Sequence, residues 1–96
     1  MKLQWAPRAL RETEEIGEYI AAERPGAAEA WLDGLLHAVE RLETFPRSGR
    51  LIEYDPLTGY ELREIIYGRY RVIYGLVEGE VTILRLVHTR RETVDE

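Results

Sequence analysis

A chain of 96 residues is long enough for one domain and one modest core, and its 45% hydrophobic and 32% charged content is that of a globular protein rather than a disordered one. The absence of cysteine excludes disulfides, thiolate zinc sites and a cysteine nucleophile, and fits a reducing cytoplasm. Formal net charge is −5, and Lys2 is the single lysine, which argues against a surface that grips nucleic acid by its phosphates.

The first half carries most of that acidity: residues 1–45 hold 5 basic and 9 acidic groups, whereas residues 46–96 hold 8 and 9. Met1 to Trp5 lacks the apolar stretch of a secretory signal, and no apolar run approaches the roughly 20 residues that span a bilayer. A cytoplasmic protein with no membrane contact is expected.

Leu3 and Trp5 bracket a short extended start. Ala6, Ala9, Leu10, Thr13, Ile16, Gly17 and Ile20 then recur at spacings of three and four, which predicts one apolar helical stripe. Arg8, Arg11, Glu12, Glu14, Glu15 and Glu18 form its polar face. Pro7 suits the first helical turn, and Arg24-Pro25-Gly26 ends the helix. A second stripe follows in Ala28, Trp31, Leu32, Leu35, Ala38, Val39 and Leu42, closed by Phe45-Pro46. So short a break demands an antiparallel helical hairpin. Ile16, Leu35, Val39 and Leu42 are expected in the core, while Leu36 falls off the stripe.

Residues 46–59, rich in Pro, Gly, Ser and Asp, read as an irregular connection. The period then changes. Tyr60–Tyr67, Tyr70–Val77 and Val81–His88 are dense in Ile, Val, Tyr and Leu and predict three strands, joined by tight turns at Gly68-Arg69 and Glu78-Gly79. The expected fold is α+β: a short N-terminal strand, then an antiparallel helical hairpin packed on an antiparallel sheet, in the order β-α-α-β-β-β. One domain spans residues 1–96, with 89–96 a polar tail expected to fray.

Two-residue turns set Ile65 opposite Val72 and Tyr74 opposite Ile83. One face then collects Leu62, Glu64, Ile66, Arg71, Ile73, Leu84, Leu86 and His88. The other collects Arg63, Ile65, Tyr67, Tyr70, Val72, Tyr74, Ile83, Arg85 and Val87. Both are largely apolar, and a hairpin covers only one. The Tyr/Arg face is the expected open one, because Tyr and Arg are enriched at interfaces; the alternative is that the tyrosines line the core with hydroxyls at its edge. Arg63, Tyr67, Tyr70, Tyr74 and Arg85 are the candidate partner-binding residues on that face.

No phosphate loop, histidine pair for zinc or nucleophile elbow is present, and no cofactor or metal is expected. His37 falls on the polar side of the second helix. His88 ends the last strand beside Arg90 and Arg91; it has the pKa range of a general base, but no second acid or base accompanies it, and a structural hydrogen bond is the favoured reading. Six arginines (63, 69, 71, 85, 90 and 91) fall in the sheet or at its ends, and Glu64 lies diagonal to Arg71, which predicts an ion pair.

The ordered set Trp5, Tyr19-Ile20, Pro25, Ala27-Ala28, Phe45-Pro46-Arg47-Ser48-Gly49-Arg50, Leu62-Arg63-Glu64, Tyr70-Arg71-Val72-Ile73-Tyr74 and Val87-His88-Thr89-Arg90-Arg91 resembles the RelE/ParE toxins of type II toxin–antitoxin systems over nearly the whole chain. The Pro-x-x-Gly-Arg loop and the Val-His-x-Arg-Arg ending look most like the ParE branch. That resemblance implies a toxin that binds DNA gyrase, traps it on cleaved DNA, and is neutralised by a ParD-like antitoxin. The RelE branch implies instead a ribosome-dependent messenger-RNA nuclease, for which Arg71, His88 and Arg90 would be the catalytic candidates. That branch looks basic and uses lysines before the sheet and a tyrosine near the C-terminus, whereas here no tyrosine follows Tyr74. Its Tyr-Arg arginine is accessible, which would place Arg71 on the open side. A third possibility is a non-toxic interaction domain of the same fold. His88, Arg90 and Arg91 are expected to carry the toxic contact.

Overall fold

The computed structural model describes residues 1–90. Seven elements follow one another: β1 (Lys2–Trp5), α1 (Pro7–Glu23), α2 (Ala27–Thr44), β2 (Arg50–Asp55), β3 (Tyr60–Tyr67), β4 (Tyr70–Val77) and β5 (Glu80–His88). The five strands form one sheet in the order β1-β5-β4-β3-β2. All pairs are antiparallel except β1 with β5, which run parallel. The expected α+β architecture stands, with one strand more than the sequence suggests.

The additional strand is β2, inside the segment read as irregular. It is an edge strand with five of its six residues exposed, so no alternation of burial marks it in the sequence. A register shift between Leu51 and Glu53 bends it further from a regular ladder.

Both hairpin turns form as their residues dictate. Gly68 has φ 59°, which suits the first central position of a primed turn, and Glu78-Gly79 takes positive φ at both central positions. The resulting registers set Ile65 opposite Val72 and Tyr74 opposite Ile83, as expected.

The helical hairpin covers one face. Leu35, Val39 and Leu42 from α2 and Ala9 from α1 are buried against Val72, Tyr74, Leu76, Val81, Ile83 and Leu86. Ile16 is partly buried against the same cluster, with Leu3, Trp5, Trp31, Ile65 and Tyr67. The buried stripe is narrower than the periodicity suggests: Leu10 and Leu32 stay exposed, as does Leu36.

The face assignment is reversed. Tyr67 and Tyr74 lie on the side that the helices cover, so the Tyr/Arg face is not the open one. The tyrosines act as pillars of the core. The Tyr74 hydroxyl donates to the Pro46 carbonyl at 2.6 Å and accepts from the Gly49 amide at 3.1 Å. The Tyr67 hydroxyl donates to the Trp31 carbonyl at 2.9 Å. Each ring tip fills a notch left by a missing side chain: a Cβ on Gly34 would collide with Tyr67, and one on Gly49 with Tyr74.

A second correction concerns β5. Ile73 pairs with Arg85 while Tyr74 pairs with Ile83, so Leu84 is an extra residue in a bulge. Beyond it every side chain changes face. Leu86 and His88 join Val72 and Tyr70 on the helix side, and Arg85 and Val87 join Ile73 and Arg71 on the open side.

Candidate functional site

Glu61 and Glu64 are three residues apart on β3, so they face opposite sides of the sheet. Each holds two arginines. On the helix side, Glu61 takes Arg47 at 2.9 Å and Arg63 at 2.7 Å. Arg63 also donates to the Gly49 carbonyl at 2.6 Å. On the open side, Glu64 takes Arg50 at 2.7 Å and Arg71 at 2.6 Å. Arg47 and Arg50 come from the Pro46–Arg50 segment, so both networks tie that loop and β2 to the centre of the sheet. The predicted Glu64–Arg71 pair forms, and it occupies the guanidinium that a nuclease reading requires.

Hydrogen bonds from Arg47 and Arg63 hold the Glu61 carboxyl below the usual glutamate range. For Glu64 burial pushes upward, but bonds from Arg50 and Arg71 outweigh it and the net direction is down. Burial raises the Tyr74 hydroxyl above its ordinary value, with the Gly49 amide opposing.

The open face is not a bare apolar surface. Ile73 and Val87 are each only 2% exposed although no helix covers them. Glu64 and Arg85 sit opposite Ile73 on its two neighbouring strands, and Arg71 sits opposite Val87. Long charged side chains lay their stems over apolar neighbours while their charged ends pair, which accounts for burial of Ile73 and Val87 beside these ion pairs. Ile66, 60% exposed, is the apolar residue this lattice leaves bare. Arg85 reaches past the edge of β5 to Glu12 on α1, at 2.9 Å. The other oxygen of Glu12 accepts the Leu86 amide at 2.8 Å, so the helix caps a stretch of β5 that β1 does not pair.

The second concentration of functional groups lies where α1 meets the ends of β4 and β5. Tyr70 stands edge-on to Trp31, with ring centroids 5.8 Å apart, and to His88, at 5.3 Å. His88 Nδ1 accepts the Arg90 amide at 3.1 Å, which leaves the proton of the neutral ring on Nε2. Tyr70 and His88 line a cavity of about 280 Å³ with Ile16, Tyr19 and the carboxylates of Glu12 and Glu15. Tyr19 is 66% exposed there; nothing in the helical periodicity singles it out.

The partner-binding candidates therefore separate. Tyr74 is wholly buried and has no surface to offer; Tyr67 and Arg63 are engaged internally on the helix side, and Arg85 with α1. Tyr70, His88 and Arg90 remain together at one end of the sheet. Arg91 lies outside the described residues. Of the residues of the catalytic alternative, Arg71 is on the open face and His88, with Arg90 beside it, on the helix face, because the Leu84 bulge intervenes. Among the described residues no three His, Cys, Asp or Glu side chains cluster to hold a metal ion, and no helix is long and apolar enough to cross a membrane.

Comparison with known proteins agrees with this geometry. Residues 3–93 match the family described as the ParE toxin of the type II toxin–antitoxin system parDE. The protein Y4kP of Sinorhizobium fredii, described as a candidate toxin, is 31% identical over 91 residues, which is 95% of this chain and 91% of that protein. Among solved structures, a chain of the chromosomal ParDE toxin–antitoxin system of P. aeruginosa superposes with a TM-score of 0.74 over 92% of this chain and 95% of that one; at 16% identity the likeness is one of fold.

Proposed function

Because the chain belongs to the ParE toxin family of type II toxin–antitoxin systems, we propose that it acts in the cytoplasm by binding a protein, DNA gyrase, rather than by cutting RNA, and that a ParD-like antitoxin silences it. The observation that carries the choice is the disposition of the cationic groups. Cutting a phosphodiester needs cations for the developing charge and a group that moves a proton, within reach of one phosphate. Arg71 is bound by Glu64 on one face, and His88 lies on the other. The net charge of −5 also opposes approach of RNA.

The proposed contact with the target is the end of β5, where His88 and Arg90 leave the sheet and Arg91 follows in sequence. The antitoxin has apolar area to cover on the hairpin: Leu32 and Leu36 lie one turn apart on α2, and Leu10 and Tyr19 are exposed on α1. A partner helix laid on such residues is a common mode of recognition.

Purified protein added to gyrase and plasmid should block supercoiling and accumulate cleaved DNA. Arg90→Ala combined with Arg91→Ala should keep the fold and antitoxin binding yet lose growth arrest. Codon-positioned cuts in message on translating ribosomes, with gyrase unaffected, would replace this reading with the nuclease one.

A further inference from the structure

The cavity beside α1 borders both proposed contacts, at His88 and Tyr19, and its carboxylates enter neither. Its walls are the rings of Tyr19, Tyr70 and His88, the apolar side chains of Ile16 and Leu86, and two carboxylates. The carboxylates are not equivalent. Glu12 is committed to Arg85, to the Leu86 amide and, more weakly at 3.4 Å, to Arg8. Glu15 makes no ion pair among the described residues. No arginine or lysine is among the described residues that line it. The ring faces are negatively polarised, and Glu18 follows Glu15 by three residues on the same helix.

A recess with aromatic walls, an uncommitted carboxylate and no arginine or lysine among its described lining residues is complementary to a positive side chain with a flat, polarisable head. Guanidinium fits better than ammonium: it stacks on tyrosine, gives a carboxylate two parallel hydrogen bonds, and loses less hydration on entering a partly apolar site. We propose that this cavity is the receptor for an arginine presented by the antitoxin, with the guanidinium stacked between Tyr19 and Tyr70 and bonded to Glu15. The inference rests on the reading of the chain as a partner-binding toxin, but it concerns a pocket that can be tested without that partner. It also gives a reason for a tyrosine at position 19 on the solvent side of an otherwise acidic helix.

The test is a titration of the full chain, labelled with ¹⁵N and ¹³C and freed of any copurifying partner, with N-acetyl-arginine amide, followed by NMR. Saturable shifts should concentrate on Tyr19, Tyr70 and His88. N-acetyl-citrulline amide, which keeps the shape and removes the charge, should bind roughly fivefold more weakly, the value of a cation–π contact at a partly exposed site. Glu15→Gln and Tyr19→Ala, both on the exposed side of α1, should each weaken the arginine analogue by a similar factor and leave the rest of the spectrum in place. Equal binding of the two analogues, shifts centred elsewhere, or no saturable shift at all would each overturn the proposal. Antitoxin capture measured on the same samples separates the two readings: loss of arginine binding with the complex intact removes only this inference, whereas failure to form a complex removes the toxin reading and leaves the pocket's affinity as measured.

Discussion

The two faces of the sheet bury apolar residues by different means. On the helix face, Val72, Ile83 and Leu86 are covered by α1 and α2, and the remaining gaps are closed by tyrosine rings whose hydroxyls end on backbone groups of the Pro46–Gly49 loop and of α2. On the open face, neither helix covers Ile73 and Val87. Paired charges flank them instead, with Glu64 between Arg50 and Arg71 and Arg85 held by Glu12, and the stems of these side chains account for the burial. A sheet with two apolar faces and one layer of helices therefore does not have to leave a bare patch. The proposed function follows this difference: it puts the partner surfaces at the sheet's end and on the outer hairpin rather than over the middle of the open face.

The helix face should give the larger response to a single change. Tyr74→Ala removes a wholly buried ring and is expected to cost about 3–5 kcal/mol, the usual value for a large aromatic in a core. Tyr74→Phe keeps the ring and strands the Gly49 amide and the Pro46 carbonyl, at about 1–3 kcal/mol. Urea unfolding of both variants separates packing from hydrogen bonding. Equal losses would mean that the hydroxyl, not the ring, holds the loop.

That role for the tyrosines was only half legible in the sequence. Strand positions and hairpin registers follow from apolar runs and turn residues, and they hold. Which face is open depends on what covers each, and composition misleads there, because Tyr and Arg serve interfaces and core edges alike. The signal that could have decided it is glycine: Gly34 sits inside a helical stripe, where it costs about 1 kcal/mol relative to alanine, and the cost is offset by the Tyr67 ring that fills its place. The Leu84 bulge left no mark, since Ile83, Leu84, Leu86 and Val87 are all apolar and either parity gives two greasy faces. The site at the end of the sheet could not be read either, because that bulge decides which face of the sheet His88 takes.

On the open face the largest effect is expected from Glu64→Ala. Arg71 has only 15% of its side chain exposed and would lose its carboxylate, whereas Arg50, 65% exposed, can turn to water. Breaking a buried pair costs about 3–5 kcal/mol, and the hydrated half of this network reduces that to roughly 2–3 kcal/mol. Glu64→Gln, which keeps an acceptor, should lose less. A loss under about 0.5 kcal/mol by chemical denaturation, the range of a neutral surface change, would show that charge pairing does not close this face.

Acid should act on both faces through the same two residues. The folded-state pKa values of Glu61 and Glu64 are lowered, so the unfolded chain binds their protons first as pH falls. Their contribution is fully present above the ordinary glutamate value of about 4.3 and is lost as pH drops through the lowered folded values. The chain carrying Glu61→Gln and Glu64→Gln should be less stable at neutral pH and should show a shallower decline below pH ~4 than the original. Parallel declines, measured by denaturation at a series of pH values, would assign acid sensitivity to other carboxylates.

The smallest effect sharpens the comparison most. Arg47 and Arg50 are the outer members of the two networks, with 64% and 65% of their side chains exposed, and their partners Glu61 and Glu64 each keep a second arginine when one is removed. An exposed pair is worth about 0.2–1 kcal/mol, because solvent and salt already screen it. Arg47→Ala and Arg50→Ala should therefore cost no more than that, and less in high salt. The two faces differ in what the stem covers. Arg47 stands over a face that helices and tyrosines already close, whereas Arg50 belongs to the lattice over Ile73. If paired charges are the roof of the open face, Arg50→Ala should cost the more of the two and should retain a residual loss in 1 M salt, where screening has removed the electrostatic part and only lost apolar cover remains. Identical losses that both vanish in salt would mean that Glu64 and Arg71 cover Ile73 without help from β2.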